Sequence, residues 1–189
     1  MCGRDGAKMP RQQIYDMLFG KVYDCLIAKA ERKGRTRDEV DEQFFSFVVK
    51  TDFDTKHRYD QSGIVMYLDS DNWLKAASEY ENEQIQRLGS VVTNNGYSDW
   101  SSMDIDASIK SMWFRFSRRE NDFCIENSFD GVNYKQMRIC HMFNAKKTIS
   151  FGIFACSAED SSFEASFTNM EITECKWLAH DGQAPDEEI

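Results

Sequence analysis

Two aromatic residues flank one carboxylate in the run Tyr97-Ser98-Asp99-Trp100, which directly follows Gly96. Aromatic rings can stack on the apolar face of a sugar ring, while a carboxylate accepts hydrogen bonds from the hydroxyl groups of the sugar. The same residues can also form a packed loop in which Asp99 accepts hydrogen bonds from local backbone amides. The run therefore indicates either a carbohydrate-binding surface or a structural turn.

A second group of charged residues lies on segments with strand-like alternation. Because side chains alternate along a strand, the position of each residue in its segment assigns it to one face of the predicted strand. If these faces coincide in the fold, two carboxylates flank a groove and can act as acid and base on a glycosidic bond. The alternative is a set of cross-strand ion pairs on a solvated face. The glucanase pattern of two Glu on one strand in ExDxE spacing is absent. The predicted ligand face has at its centre Lys75, Glu79, Arg115 and Glu126, and at its rim Trp73, Tyr97 and Trp100.

Arg138 and His141 stand close together in a further strand-like segment. Either can contact an anionic ligand, and a structural role is the alternative. The neighbouring Cys140 can act as a nucleophile only with a base within reach. In a regular strand His141 points to the opposite face, so we assign no catalytic residue.

The composition favours a strand-rich globular fold. The chain has 189 residues, of which 41% are hydrophobic and 13% aromatic, with 14 Phe and only two Pro. The net charge of −9 argues against nucleic acid or an anionic membrane as a partner. The charge is uneven, because residues 1–37 carry nine basic and four acidic side chains.

The cysteines argue against a metal site and against disulfides. None forms a CxxC or Cys/His ligand spacing, so we expect neither a zinc ion nor another cofactor. We also expect no signal peptide, since charged residues interrupt 18–27, and no membrane span. Reduced thiols in a cytoplasmic protein follow from this pattern. The six cysteines of the chain are Cys2, Cys25, Cys124, Cys140, Cys156 and Cys175.

The period of the apolar residues changes near residue 40. Residues 12–33 show helical spacing, whereas the chain from Phe44 onward alternates with period two between polar turns. We therefore predict a helical segment at 1–40, an all-β sandwich at 41–178 and a disordered acidic tail at 179–189. The predicted strands begin at residue 44 and continue at 63–69, 73–81, 86–94, 112–118, 122–129, 134–141, 149–157 and 163–175.

From residue 37 to about 178 the chain resembles a family of mostly bacterial and fungal domains of unknown function, which includes the fungal regulation-of-enolase protein. The resemblance implies a concanavalin-A-like lectin/glucanase jelly roll. No catalytic residue is established for the family, so none is carried over. The matching runs include Tyr59-Asp60-Gln61-Ser62-Gly63, Asn72-Trp73-Leu74-Lys75-Ala76, Gly96-Tyr97-Ser98-Asp99-Trp100, Trp113-Phe114-Arg115-Phe116-Ser117 and Gly152-Ile153-Phe154-Ala155-Cys156.

The N-terminal part departs from this family. Such domains usually begin with a longer extended segment, whereas residues 12–41 here resemble the start of a separate, small helical bacterial family of unknown function. The chain thus looks like a fusion whose sandwich lacks its first strands. We expect residues 12–33 to cover a strand edge that would otherwise invite association.

Three functions follow from these observations. The first is a non-catalytic module that binds carbohydrate or another small polar ligand on one sheet face. The second is a glycoside-acting enzyme on the same fold. The third is a regulatory protein–protein interaction module, which the name of the regulation-of-enolase relative suggests. A fold does not choose among them, so the geometry of the site must.

Overall fold

The computed structural model describes residues 43–158 and 162–178. This part of the chain is built from β-strands and contains no helix. The strands are β1 (Phe44–Phe53), β2 (Gln61–Asp69), β3 (Asn72–Tyr80), β4 (Ile85–Asn94), β5 (Tyr97–Asp106), β6 (Ser111–Arg119), β7 (Asp122–Ser128), β8 (Lys135–His141), β9 (Ser150–Cys156) and β10 (Ala165–Thr173).

The strands form two five-stranded sheets. The first sheet has the order β10-β1-β6-β7-β8, and the second has the order β5-β4-β3-β2-β9. All paired neighbours are antiparallel. The described chain begins in the first sheet with β1, forms β2 to β5 of the second sheet and returns for β6 to β8. It then adds β9 to the second sheet and ends with β10 in the first. The all-β sandwich predicted from the alternation is confirmed, and so is the jelly-roll architecture that the family resemblance implies.

Aromatic side chains fill the space between the sheets. The ring of Phe151 on β9 lies 5.0, 5.1 and 5.3 Å from the rings of Phe45, Phe47 and Phe116 on the first sheet. Burying one Phe side chain contributes about 2 kcal/mol relative to leaving it exposed. Because side chains alternate along a strand, this core directs the intervening residues to the two outer faces of the sandwich.

A tight hairpin joins β4 to β5 and corrects one expectation. Asn95 and Gly96 both have positive φ, 51° and 81°, as a two-residue type I′ turn requires. Residues 97–106, for which no strand was predicted, continue from this turn as the edge strand β5. The alternation is weak there because nearly all of β5 is exposed, so neither face has to be apolar.

Two expectations fall on parts of the chain outside the described residues. The helix at 12–33 and the acidic tail at 179–189 both lie there, and the domain boundaries at residues 40 and 178 stay predictions. Within the described residues, no helix has the length and hydropathy that crossing a membrane requires.

Candidate ligand-binding groove

A groove of about 350 Å³ opens where the edge strand of one sheet faces the edge strand of the other. One wall belongs to β4 and β5 of the second sheet, and the other to β8 of the first. Four residues singled out from the sequence meet here, together with four that were not. The lining consists of Val92, Asn94, Tyr97, Asp99, Arg138, Ile139, Cys140 and His141.

The hairpin and one asparagine position the walls of the groove. Asn94 and Tyr97 pair directly across the β4–β5 turn. The Asn94 amide donates a hydrogen bond to the backbone oxygen of His141 at 2.9 Å, and its Oδ1 accepts one from the amide of Phe143 at 3.1 Å. This side chain therefore ties β4 to the end of β8 and fixes the width of the groove at that end.

Arg138 and Asp99 meet across the groove. The Nη2 atom of Arg138 lies 3.3 Å from Oδ1 of Asp99, and Nη1 donates to the Asp99 backbone oxygen at the same distance. The Asp99 side chain is 80% exposed and that of Arg138 only 12%. A solvated pair of this kind contributes at most about 1 kcal/mol. Since a carboxylate has about four acceptor positions, Asp99 keeps the capacity to bind further donors from solution.

Tyr97 and Trp100 do not form one aromatic platform. Tyr97, with 77% of its surface exposed, lies on the same face of β5 as Asp99, two residues away. Trp100 lies on the opposite face, where it pairs with Val91 and its indole nitrogen covers Gly89. The aromatic–carboxylate–aromatic run thus divides between two surfaces, because successive side chains of a strand point to opposite faces.

His141 and Cys140 supply no nucleophilic machinery. The Nδ1 atom of His141 lies 2.6 Å from Oδ1 of Asp122, and its ring stacks edge-on against Phe143 at 5.0 Å. Burial raises the pKa of the Cys140 thiol to about 12, against a partial opposing effect of Arg138. A thiol with this pKa stays protonated at neutral pH, so it is a poor nucleophile.

The other predicted site residues lie elsewhere. Trp73, Lys75 and Glu79 share the outer face of the second sheet. The Lys75 ammonium donates to Oε1 of Gln61 at 2.6 Å, and the Gln61 amide donates to Glu79 at 2.9 Å. Burial lowers the pKa of Lys75 and raises that of Glu79, although each partly offsets the shift of the other.

Arg115 and Glu126 lie on the outer face of the first sheet. Their side chains form a two-point ion pair with distances of 2.6 and 2.8 Å, and the guanidinium stacks on the ring of Tyr134 at 4.0 Å. The expectation that these residues share one concave face with Lys75 and Glu79 is wrong, because the core separates the two outer faces. Glu79 and Glu126 therefore cannot flank one glycosidic bond.

No metal centre is evident within residues 43–158 and 162–178. No group of three or more His, Cys, Asp or Glu side chains there is placed to hold an ion. The groove itself offers a carboxylate, a guanidinium, a phenol and an imidazole, which is a hydrogen-bonding set rather than a ligand set for a metal.

Solved structures place this architecture in the class of two-sheet β-sandwich domains. Xylan beta-1,4-xylosidase from Bacillus halodurans C-125 matches with a TM-score of 0.57 and 13% identity, over 70% of this chain and 28% of that chain. At this identity the likeness shows the fold alone. A functionally unknown protein from Saccharomyces cerevisiae matches with a TM-score of 0.64 and 26% identity, over 70% of each chain.

The chain belongs to the family described as Protein of unknown function (DUF1349), whose model matches residues 34–175. Regulation of enolase protein 1 of Saccharomyces cerevisiae is 30% identical over 115 residues, which are 61% of this chain and 57% of that protein. The chain therefore spans little more than half the length of this relative. The family resemblance stated from the sequence motifs is confirmed.

Sequence reasoning missed half of the groove. Val92, Asn94, Ile139 and Cys140 were not candidates for ligand contact, and the pairing of Asp99 with Arg138 joins residues 39 positions apart. One local signal was available, because Asn-Gly after an alternating segment is typical of a hairpin. That signal predicts β5, but nothing local predicts that β8 lies opposite.

Proposed function

We propose that this chain is a non-catalytic module that binds carbohydrate in the groove between β5 and β8. The observation that carries the proposal is the exposed ring of Tyr97 beside the Asp99–Arg138 pair. Tyr97 supplies an apolar platform for one face of a sugar ring. Asp99 accepts hydrogen bonds from its hydroxyl groups, and Arg138 donates to them.

The size and shape of the groove suit a short ligand. A volume of about 350 Å³ lies at the lower end of small-molecule sites, which suggests one or two sugar rings. Because the Tyr97 side chain is 77% exposed, a longer sugar chain can extend past its ring into solvent. Binding of this kind is weak, because few side chains are desolvated on contact.

A glycoside-acting enzyme is the less favoured alternative. Hydrolysis needs an acid and a base on opposite sides of the bond, with separations of roughly 5–9.5 Å. Asp99 is the only carboxylate among the described residues that line the groove. Sugar binding without cleavage therefore agrees better with these residues than hydrolysis does.

A regulatory interaction with another protein is supported by a different observation. Apolar side chains stand exposed around the same edge, namely Met103 on β5, Ile139 on β8 and Phe143 after it. Such a rim can also contact a protein partner.

We further propose a cytoplasmic location, since Cys124, Cys140 and Cys156 form no disulfides in the described chain.

Binding can be measured on a broad glycan array and by NMR titration with xylobiose. We expect Tyr97→Ala and Arg138→Ala each to weaken binding about tenfold or more, because each removes one contact. Phe129→Ala is the matched control, since it removes an exposed aromatic ring outside the groove. If the intact chain binds no glycan, or if all three variants bind alike, the proposal is rejected. Cleavage of xylobiose would instead favour the enzyme.

A further inference from the structure

The outer face of the second sheet is apolar and buried. Its cluster consists of Val65, Trp73, Ala77, Val91, Phe154 and Cys156. Trp73 is 2% exposed and Phe154 only 1%, values that are typical of a protein interior. Lys75, in the middle of this face, is 4% exposed, with its ammonium 5.5 Å from the centre of the Phe154 ring.

No strand or helix of the described residues forms a layer over this face. Residues 43–158 and 162–178 form two sheets and no third layer, and the one further apolar side chain among them that packs on the cluster is Tyr67. Trp100 shows what an uncovered aromatic residue on this face looks like, since it is 58% exposed on the neighbouring strand β5. The buried part of this face therefore comprises residues of β9, β2, β3 and β4 and ends before β5.

We infer that residues 12–33 of the same chain dock on this outer face and form a third layer. The segment carries an apolar stripe at helical spacing, which a single helix can present to a sheet. As a helix it is about 33 Å long, enough to cross five strands spaced about 4.8 Å apart. The stripe consists of Ile14, Met17, Leu18, Val22, Cys25, Leu26 and Ala30.

The position of β1 makes this docking geometrically simple. The described chain begins at Gln43, and Phe45 packs against Phe151 of β9, the edge strand of the second sheet. Residues 34–42 span at most about 30 Å when extended, whereas the sheets lie about 10 Å apart. The connection can therefore pass around β9 and reach the outer face.

The C-terminal tail is the weaker candidate for the cover. The described chain ends beside the first sheet, where the Lys176 amide donates to Ser46 and the Trp177 ring lies 5.3 Å from the Arg119 guanidinium. Residues 179–189 are acidic and carry no apolar stripe.

Photo-cross-linking in the full chain tests this docking without deleting any part of the protein. In the test variant, a benzophenone amino acid replaces Tyr67, which borders the buried cluster. In the control variant, it replaces Trp113, which lies on the outer face of the first sheet. We expect intramolecular cross-links from position 67 to residues 12–33, mapped by mass spectrometry, and none to these residues from position 113. Cross-links from position 67 only to a second copy, only to residues 179–189, or to nothing would overturn the inference.

Thiol labelling provides an independent measurement. Leu18→Gln with Leu26→Gln interrupts the stripe, and Lys21→Gln with Lys29→Gln is the matched control on the polar side. We expect alkylation of Cys156 to become at least tenfold faster in the stripe variant alone, with Cys124 on the opposite sheet unchanged in both. Equal Cys156 rates in both variants contradict the docking. If Cys124 also reacts faster, the fold is lost and the cross-links decide.

Discussion

The groove and the outer face of the second sheet contain the same kinds of residues and differ in access to solvent. Each combines an aromatic ring, a carboxylate and a cation: Tyr97 with its ion-paired neighbours in the groove, and Trp73 with Lys75 and Glu79 on the face. Tyr97 is 77% exposed and Trp73 2%. Residue type therefore does not distinguish the proposed ligand surface from the buried network, whereas exposure does.

The two regions also differ in the energetic cost of removing their charged groups from water. Desolvation disfavours the charged forms of Lys75 and Glu79, so Gln61 must supply hydrogen bonds to both. In the groove, Asp99 and Arg138 stay partly hydrated, and their pairing adds little to stability. The buried set contributes to the stability of the fold, while the exposed set remains accessible to solvent.

The largest expected effect is the loss of stability when Trp73 is truncated. Trp73→Ala should lower the free energy of unfolding by about 3–5 kcal/mol, because a buried indole leaves a cavity. Tyr97→Ala should change it by less than about 0.5 kcal/mol, as is usual for exposed positions. Urea denaturation measures both. Similar losses for the two variants would remove the basis of the comparison.

Removing the buried cation should have the next largest effect. Lys75→Ala should cost about 3 kcal/mol, since it leaves Gln61 and Glu79 buried without their partner. Lys75→Met fills the same space without a charge and should cost clearly less. The control is Lys135→Ala on the exposed strand β8, which should be nearly neutral. Equal costs for Ala and Met would mean that charge pairing, not packing of the side-chain stem, is what Lys75 contributes.

Glu79 should give the buried face a pH dependence. Its pKa is raised in the folded state, so its contribution to stability is fully present below about pH 4.5 and is lost as pH rises through the raised value. Glu79→Gln does not titrate, so the stability of the native chain relative to the variant should fall over that interval. Chemical denaturation of both proteins at successive pH values measures the difference, and a constant difference would argue against a raised pKa.

The smallest expected effect is the coupling between Asp99 and Arg138. A double-mutant cycle with Asp99→Ala and Arg138→Ala should give roughly 0.2–1 kcal/mol, and the coupling should shrink in high salt. The same cycle on Arg115 and Glu126 provides the reference for a closer, less exposed pair. A coupling above about 2 kcal/mol for Asp99 and Arg138 would assign them to the structural network instead of a ligand site.

Much of the local structure was predictable from the residues. Alternation of apolar residues identified nine of the ten strands, and Asn95-Gly96 marks a hairpin by its chemistry. The strand β5 was not predicted, because an exposed edge strand does not need apolar residues at alternate positions. For the site, local spacing brought attention to Tyr97 and Asp99, which share a face two residues apart.

The sequence by itself determined the period of the side chains and therefore the strands, the core residues and the turns. Only the tertiary structure decided which strand joins which sheet. The β1 strand pairs with β6 and β10 rather than with β2, so Arg115 and Lys75 face opposite sides of the sandwich. It also brought β5 and β8 together to form the groove. The physical reason is that side-chain periodicity is set by neighbouring residues, whereas sheet membership depends on burial and pairing between segments far apart in the chain.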